Sequence, residues 1–519
     1  MDRNTEVSIE DDPEKLQYKN SFLDHKDKRN DFELSWKHSL KQVLAACIVH
    51  SLVIQAGINM AFSAVLLPQL KNSSSDMQIN LNQGSWIASI LTVSLPSGAL
   101  IIGPLMDKFG RKKMCMLTTV PFIISWLLHV FATNLCYILA ARVLAGFGAG
   151  LSTVGIVYVS EISHPKYRPM MLTFNSVFVT FGILLTCILG FGLHWRVMAK
   201  IFLALIILSL IGLFFVPESP YWLLIFKDDK QMCAKSIRWL YADSRIFEEQ
   251  YQKVLESKQT LQETSKKSLH RKIKDNFKYY LEPVVLKPVL ILLALFIIQQ
   301  LSSAYVIIFY AVDIFRKIGG SFKHIGLIDE FVALILLGGI RFVMSIVLAA
   351  ISKKVGRRVL MFISALGMIV SSFILASYMI FTRSDSISSV VPYTNGTFKE
   401  TLLDRSTEPD GTVAVVLVLC YICFSSFGWL VIPWTLIGEL LPVKVRGTLG
   451  GVMVSVAYIL MFLILKVSPF LMESIRLEYI FLALGITNVI GLVFLYLFLP
   501  ETLGKTFKDI AKYFDKNYE

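Results

Sequence analysis

Two stretches of this chain carry the same short motifs in the same order, each at the end of an apolar run long enough to cross a bilayer. Residues 103–113 (GPLMDKFGRKK) have a counterpart in 352–360 (SKKVGRRVL). Residues 160–169 (SEISHPKYRP) correspond to 438–447 (GELLPVKVRG), and 217–220 (PESP) to 500–503 (PETL). Glu161 and Arg168 stand seven residues apart, and so do Glu439 and Arg446. A repeat at this scale means one unit built twice, and parallel repeats of membrane helices pack about an axis along the membrane normal.

Composition supports that constraint. Only 17% of the 519 residues are charged, against about a quarter in soluble domains. Mean hydropathy is +0.60. Runs of roughly 20 apolar residues, enough to span about 30 Å as helix, recur twelve times. They fall near 43–67, 85–106, 114–133, 137–160, 170–192, 196–216, 289–315, 325–351, 359–381, 413–437, 448–471 and 478–499. The expected fold is an all-α membrane protein of twelve transmembrane helices in two pseudo-symmetric six-helix halves, 43–216 and 289–499. A polar tail (1–42), a charged linker (217–288) and a short end (500–519) complete the chain.

The net charge of +13 does not gather into one nucleic-acid-binding patch. With both termini placed in the cytoplasm, most of the 51 Lys and Arg fall on that side, among them Arg111, Lys112, Lys113, Arg357 and Arg358 in short loops. The same topology puts the glycosylation sequons at Asn72 and Asn395 outside, as expected of a plasma-membrane glycoprotein. The opening residues lack the apolar core of a signal peptide and read as a cytoplasmic tail. Periodic apolar positions in 232–241 and 247–255 predict short amphipathic helices in the linker. The seven cysteines show no metal or disulfide spacing; Cys420 and Cys423 lie in an apolar helix. No metal or cofactor is expected, and no phosphate-cradling loop appears.

The glycine-arginine loops, PESPYWLL (217–224), QQLSS (299–303), the Pro433-Trp434 pair before Glu439, and PETLGKT (500–506) resemble the sugar porter branch of the major facilitator superfamily. The resemblance runs from about residue 45 to 507. Ser85-Trp86 and FYAVDIF (309–315) are most similar to the insect trehalose and hexose carriers of that branch. The resemblance implies a carrier that moves a small sugar by alternating access, with the lipid bilayer as its surroundings. A monomer suffices for that activity, and no enzymatic constellation is apparent.

A carrier needs a gate that biases its states without locking them, and exposed ion pairs of about 0–1 kcal/mol suit that task. The expected cytoplasmic gate comprises Asp107, Arg111, Arg142, Glu161, Arg168 and Glu218 in the first half. Arg357, Arg358, Glu439, Arg446 and Glu501 complete it in the second, with pairing across the halves when that side is shut. Lys353 replaces the acid that Asp107 supplies in the first copy, and Pro169 stands where Gly447 does in the second.

A sugar site needs amides, hydroxyls and an aromatic platform. Gln299, Gln300, Ser302, Ser303, Tyr305 and Tyr310 of the seventh span and Trp434 of the tenth are candidates. Gln55, Asn59 and Ser63 form one polar stripe on the first, suited to substrate contact or to helix packing. Against the family pattern, Tyr305 replaces a sugar-binding Asn, Ser176 a Gln, and Arg341 a cavity amide. Arg341 lies 16 residues before Arg357, about 24 Å along a helix and too deep to snorkel. Two readings follow: an anionic or unusual polyol solute, or a structural pair with Asp313, Asp329 or Glu330. Lys466 is expected to snorkel.

The first span holds no carboxylate, and Asn59 stands where proton-coupled family members carry Asp, so passive uniport is expected. The competing expectations are an anion carrier on the same fold and a non-transporting sugar sensor.

Overall fold

A computed structural model describes residues 36–71, 77–164, 167–241, 244–265, 282–319, 330–352, 354–388, 411–505 and 507–515. Among these, twelve helices are long and apolar enough to cross a membrane. In the first half they are Leu40–Lys71, Leu81–Phe109, Arg111–Val130, Leu135–Ile162, Met170–Gly190 and Trp195–Phe214. In the second they are Pro283–Leu301, Glu330–Ile351, Arg357–Thr382, Gly411–Leu440, Leu449–Ser474 and Leu477–Phe498. They are numbered here as spans one to twelve.

Between helices in lipid, packing must come from close approach, because the tails are as apolar as the side chains. Spans two and four show how. A Cβ on Gly146 or Gly150 would fall 2.2 Å from the Leu91 carbonyl oxygen or 2.1 Å from that of Leu95. From the other side, one on Gly98 would fall 2.2 Å from the Phe147 carbonyl oxygen. Three glycines therefore let two backbones touch. The halves meet along spans five and eight, where Gly338 rests on Leu184 and Cys187. They meet again along spans two and eleven, where Trp86 faces Phe462 with ring centres 6.0 Å apart.

Three spans are not continuous helices. Span four turns at Ser152–Thr153 between Leu135–Leu151 and Val154–Ile162. The seventh run, expected as one helix over 289–315, breaks after Leu301; Ser303 takes a left-handed φ of 54° and new helices start at Ala304 and Ala311. Span ten stops at Phe427 and restarts at Ile432, with Pro433 in the first turn, where its missing N–H costs nothing. Broken helices free backbone groups inside the bundle, which is tolerated only where protein or a cavity re-satisfies them.

The linker carries helices Pro220–Ile225, Lys230–Leu240 and Ser244–Ser265. The first two pack against the first half at the end that bears the basic loops, and the third packs on them. That end is called the basic end below, and its opposite the far end.

Candidate functional site

At the basic end the repeated motifs fold into two copies of one circuit. In the first, the Arg111 guanidinium donates from Nε to both Glu161 oxygens at 3.1 Å and from Nη1 to the Met106 carbonyl, five residues back. Glu218 accepts from the backbone N–H groups of Arg111, Lys112 and Ser219, each at 2.9 Å, and the Ser219 hydroxyl donates to Glu161. In the second, Arg357 donates to Glu439 at 3.1 Å and to the Ser352 carbonyl, again five back. Glu501 accepts from the N–H groups of Arg357, Arg358, Thr502 and Leu503 at 2.9–3.2 Å, and Thr502 donates to Glu439. Glu218 and Glu501 thus sit at the N-termini of spans three and nine, where free N–H groups and the helix dipole favour an anion. Gly110 and Gly356 precede those helices, and a Cβ on either would strike the carboxylate.

This geometry corrects one expectation, the place of Arg142. The ion pair of Arg111 with Glu161 and that of Arg357 with Glu439 each lie within a single half. Glu161 does not pair with Arg168, which follows the turn after span four and reaches the Ser163 carbonyl at 3.4 Å; its Nε has no partner. Arg142 is not at this end. It begins only seven residues into span four from the far end, fully buried, and ties the Ile87 and Asn59 carbonyls and the Ser63 hydroxyl together. Arg358 stacks over Phe362 and Tyr496 and donates to the Tyr496 carbonyl. The side chain of Arg446, like Lys353, Asn72 and Asn395, lies outside the described residues.

At the far end, polar groups do join the halves. Lys71 pairs with Asp313 at 2.8 Å. Lys466 donates to Asn82 and Ser85, both at 2.8 Å, and lies 4.1 Å from the Trp86 ring centre. Lys466 therefore clasps the first turn of span two, where two acceptors and a ring face are within its reach.

Between the two ends lie the broken helices and the candidate solute groups. Gln299 is fully buried, donates to the Trp429 carbonyl freed by the break in span ten, and leaves Oε1 without a partner. Gln300 is 3% exposed with Nε2 unpaired. Trp434 donates to the Tyr305 hydroxyl at 3.3 Å and has Phe296 and Tyr458 as ring neighbours at 5.0 and 5.2 Å. Arg341, 5% exposed, has no partner for Nε or Nη1. Its expected structural partners are taken: Asp313 by Lys71 and Glu330 by Arg316, while Asp329 lies outside the described residues. Unpaired buried donors and acceptors cost about 1–3 kcal/mol each, so each of these atoms calls for a polar partner that the described residues do not supply.

Other candidates serve packing. Gln55 bonds Trp126 and the Phe202 carbonyl, and Ser63 holds Arg142. Asn59 donates to the Gln55 carbonyl and keeps Oδ1 free. Tyr310 donates to the Leu465 carbonyl at 3.0 Å, joining spans seven and eleven. Sequence reasoning passed over Trp429, Tyr458, Phe296, and the bond from Tyr421 to the Ser302 carbonyl, which Asn488 supports. The signal was available: tryptophan, tyrosine and asparagine deep in spans need partners. A crevice of about 410 Å³ between spans five, eight and ten is lined by Leu184, Ile340, Met344 and Cys423 among other apolar groups, and offers a sugar nothing to bond.

A family model described as Sugar (and other) transporter matches residues 32–514. The chain is 28% identical over 474 residues to the Facilitated trehalose transporter Tret1 of Aedes aegypti, covering 91% of this chain and 55% of that one. It is likewise 28% identical to the Tret1 of Culex quinquefasciatus over 479 residues, covering 92% and 86%. It thus spans about half the length of the Aedes relative and most of the Culex one. Among solved structures, the inward-open xylose transporter XylE of E. coli superposes with a TM-score of 0.69 at 18% identity, covering 90% of this chain and 98% of that one. The proton:xylose symporter XylE bound to 6-bromo-6-deoxy-D-glucose gives 0.67 at 19%, covering 92% and 99%. The major facilitator fold is therefore shared.

Proposed function

The chain belongs to the sugar (and other) transporter family, and on that premise we propose that it is a facilitative carrier moving a hexose or trehalose by alternating access. One observation carries the reading. Buried amides of Gln299 and Gln300 with unpaired atoms lie at the end of the seventh span, and Tyr305, bonded to Trp434, follows in the next helix. Amides satisfy hydroxyls in both directions, and an aromatic face covers the apolar side of a sugar ring. The twelve spans make the carrier a multi-pass membrane protein; the basic loops favour cytoplasmic termini, and the plasma membrane is the proposed site.

Alternating access follows from the two ends. The halves are joined by Lys71–Asp313 and by Lys466 at the far end, while each basic-end circuit closes within its own half. The molecule is read as shut outside and free to part inside. The circuits keep each six-helix half rigid as it rocks. Span one offers no carboxylate to carry a proton, which supports uniport.

The test is counterflow in liposomes of purified full-length protein without a pH gradient, using labelled glucose and trehalose. Accumulation of either is expected. Flux that needs an imposed proton gradient would overturn uniport, and no flux of either from folded protein would overturn the sugar carrier.

A further inference from the structure

Among the described residues Arg341 has no counter-charge, and it lies at the seam of the two halves. It stands eleven residues from Glu330 and ten from Ile351, about 15 Å from either end of span eight. Gly338, Arg341 and Ser345 share one helix face. Gly338 packs on Leu184 and Cys187 of span five, and the Ser345 and Thr180 hydroxyls are hydrogen-bonded at 2.8 Å. Arg341 therefore points between them into the contact that must open and close. Among the described residues, the ionisable groups near it are Tyr305, in the helix after the break in the seventh run, and Cys187 of span five, a phenol and a thiol that are uncharged at neutral pH. Tyr305 in turn accepts a hydrogen bond from Trp434.

A guanidinium so deep in a membrane bundle faces water, an acid or a ligand, since its charge is otherwise expensive. It is nearly sealed from water, and the described acids nearest in sequence are paired elsewhere. Resting on the reading that this cavity holds the solute, we infer that Arg341 recognises one negative charge on it, so that the carrier takes an acidic monosaccharide with a ring carboxylate. A carboxylate matches the fork of a guanidinium and neutralises it one for one. A phosphate monoester, at −1.5 to −2, would leave excess charge in the same dry space. The amides of Gln299 and Gln300 and the Trp434 face then receive the hydroxyls and the ring.

The experiment uses the full-length protein in liposomes with labelled glucose, labelled glucuronate and the neutral methyl ester of glucuronate as competitor. Expected are glucuronate counterflow, and inhibition of it by free glucuronate about tenfold or more stronger than by the ester. Arg341→Gln should shift the ratio of glucuronate to glucose flux toward glucose by a similar factor, with Arg341→Lys between. If glucose moves but glucuronate neither moves nor inhibits, the inference falls and the sugar carrier stands. If neither moves, both fall. Equal inhibition by acid and ester overturns the inference without any variant, and so does glucose flux that requires chloride while glucuronate is inert, which would give the charge to an inorganic anion.

Discussion

The two basic-end circuits are the same device set in different surroundings. In the first half Arg111 is 7% exposed and Glu161 16%; in the second Arg357 is 19% exposed and Glu439 28%. The first circuit has a second acid, Asp107, at 3.2 Å, and a roof from the linker. Trp222 donates to the Asp107 carbonyl, Phe226 lies over the guanidinium, and Ser236 bonds the Glu218 carbonyl. The second has Lys353 where that acid would be. Duplication kept the wiring, the linker buried only one copy, and burial decides how much each ion pair is worth.

The largest effect should come from removing the central arginine. Arg111→Ala leaves Glu161, in the more buried of the two sites, with the Ser219 hydroxyl but no counter-charge, a loss of about 3–5 kcal/mol. Arg357→Ala leaves Glu439 partly hydrated and still bonded to Thr502, at about 1–2 kcal/mol. Thermal unfolding of the detergent-solubilised proteins should rank Arg111→Ala well below Arg357→Ala. Equal losses would mean that the linker roof contributes nothing and the circuits are equivalent.

A smaller effect should reverse the order. Glu218 receives three backbone N–H groups and Glu501 four. Gln in either place keeps shape and loses charge, costing about 1–2 kcal/mol. Glu501→Gln should therefore cost at least as much as Glu218→Gln by the same unfolding measurement. If Glu218→Gln proves clearly worse, burial outweighs the number of amides bound.

The repeat, the spans and the family were legible because long apolar runs and fixed motif spacing are local properties. Pairing was not. Glu161 and Arg168 stand seven apart in sequence, but span four ends at Ile162 and the turn sends Arg168 away, leaving Glu161 to Arg111 fifty residues earlier. Charge alone groups Arg142 with the gate, whereas its place near the start of span four fixes its depth toward the other end. The breaks in spans seven and ten had signals in Ser302-Ser303 and Gly428, yet a run of apolar residues reads as one helix whether or not it is interrupted. Which amides remain unpaired, as at Gln299 and Gln300, depends on the neighbours that folding brings and is written in no single span.

The far-end clasp offers a contrast of kind. Lys466→Met removes contacts between halves that are worth about 0–1 kcal/mol at this exposure. Its melting temperature should hardly move, while amide hydrogen exchange should rise near Asn82 and Lys466 as the far end opens more often. The arginine variants of the basic-end circuits should show the opposite pattern: lower melting, with far-end exchange little changed. A clasp variant that melts early without added exchange would place its role in folding and remove the contrast.

The smallest effect tests whether the missing acid explains part of the asymmetry. Asp107 precedes Arg111 by four residues, and Lys353 precedes Arg357 by four. Like charge close to an arginine repels and opposite charge attracts, each by about 0–1 kcal/mol at an exposed site. Asp107 is 48% exposed, so its own contribution is of that order. Lys353→Asp should raise thermal stability slightly, by about 0.5 kcal/mol or less, and the gain should vanish in 0.5 M salt, where the screening length is about 4 Å. In an Arg357→Ala background the gain should also vanish, because the new acid would have no partner. A gain that survives both salt and loss of Arg357 would show that Lys353 acts on something other than the circuit, and the difference between the halves would then rest on the linker alone.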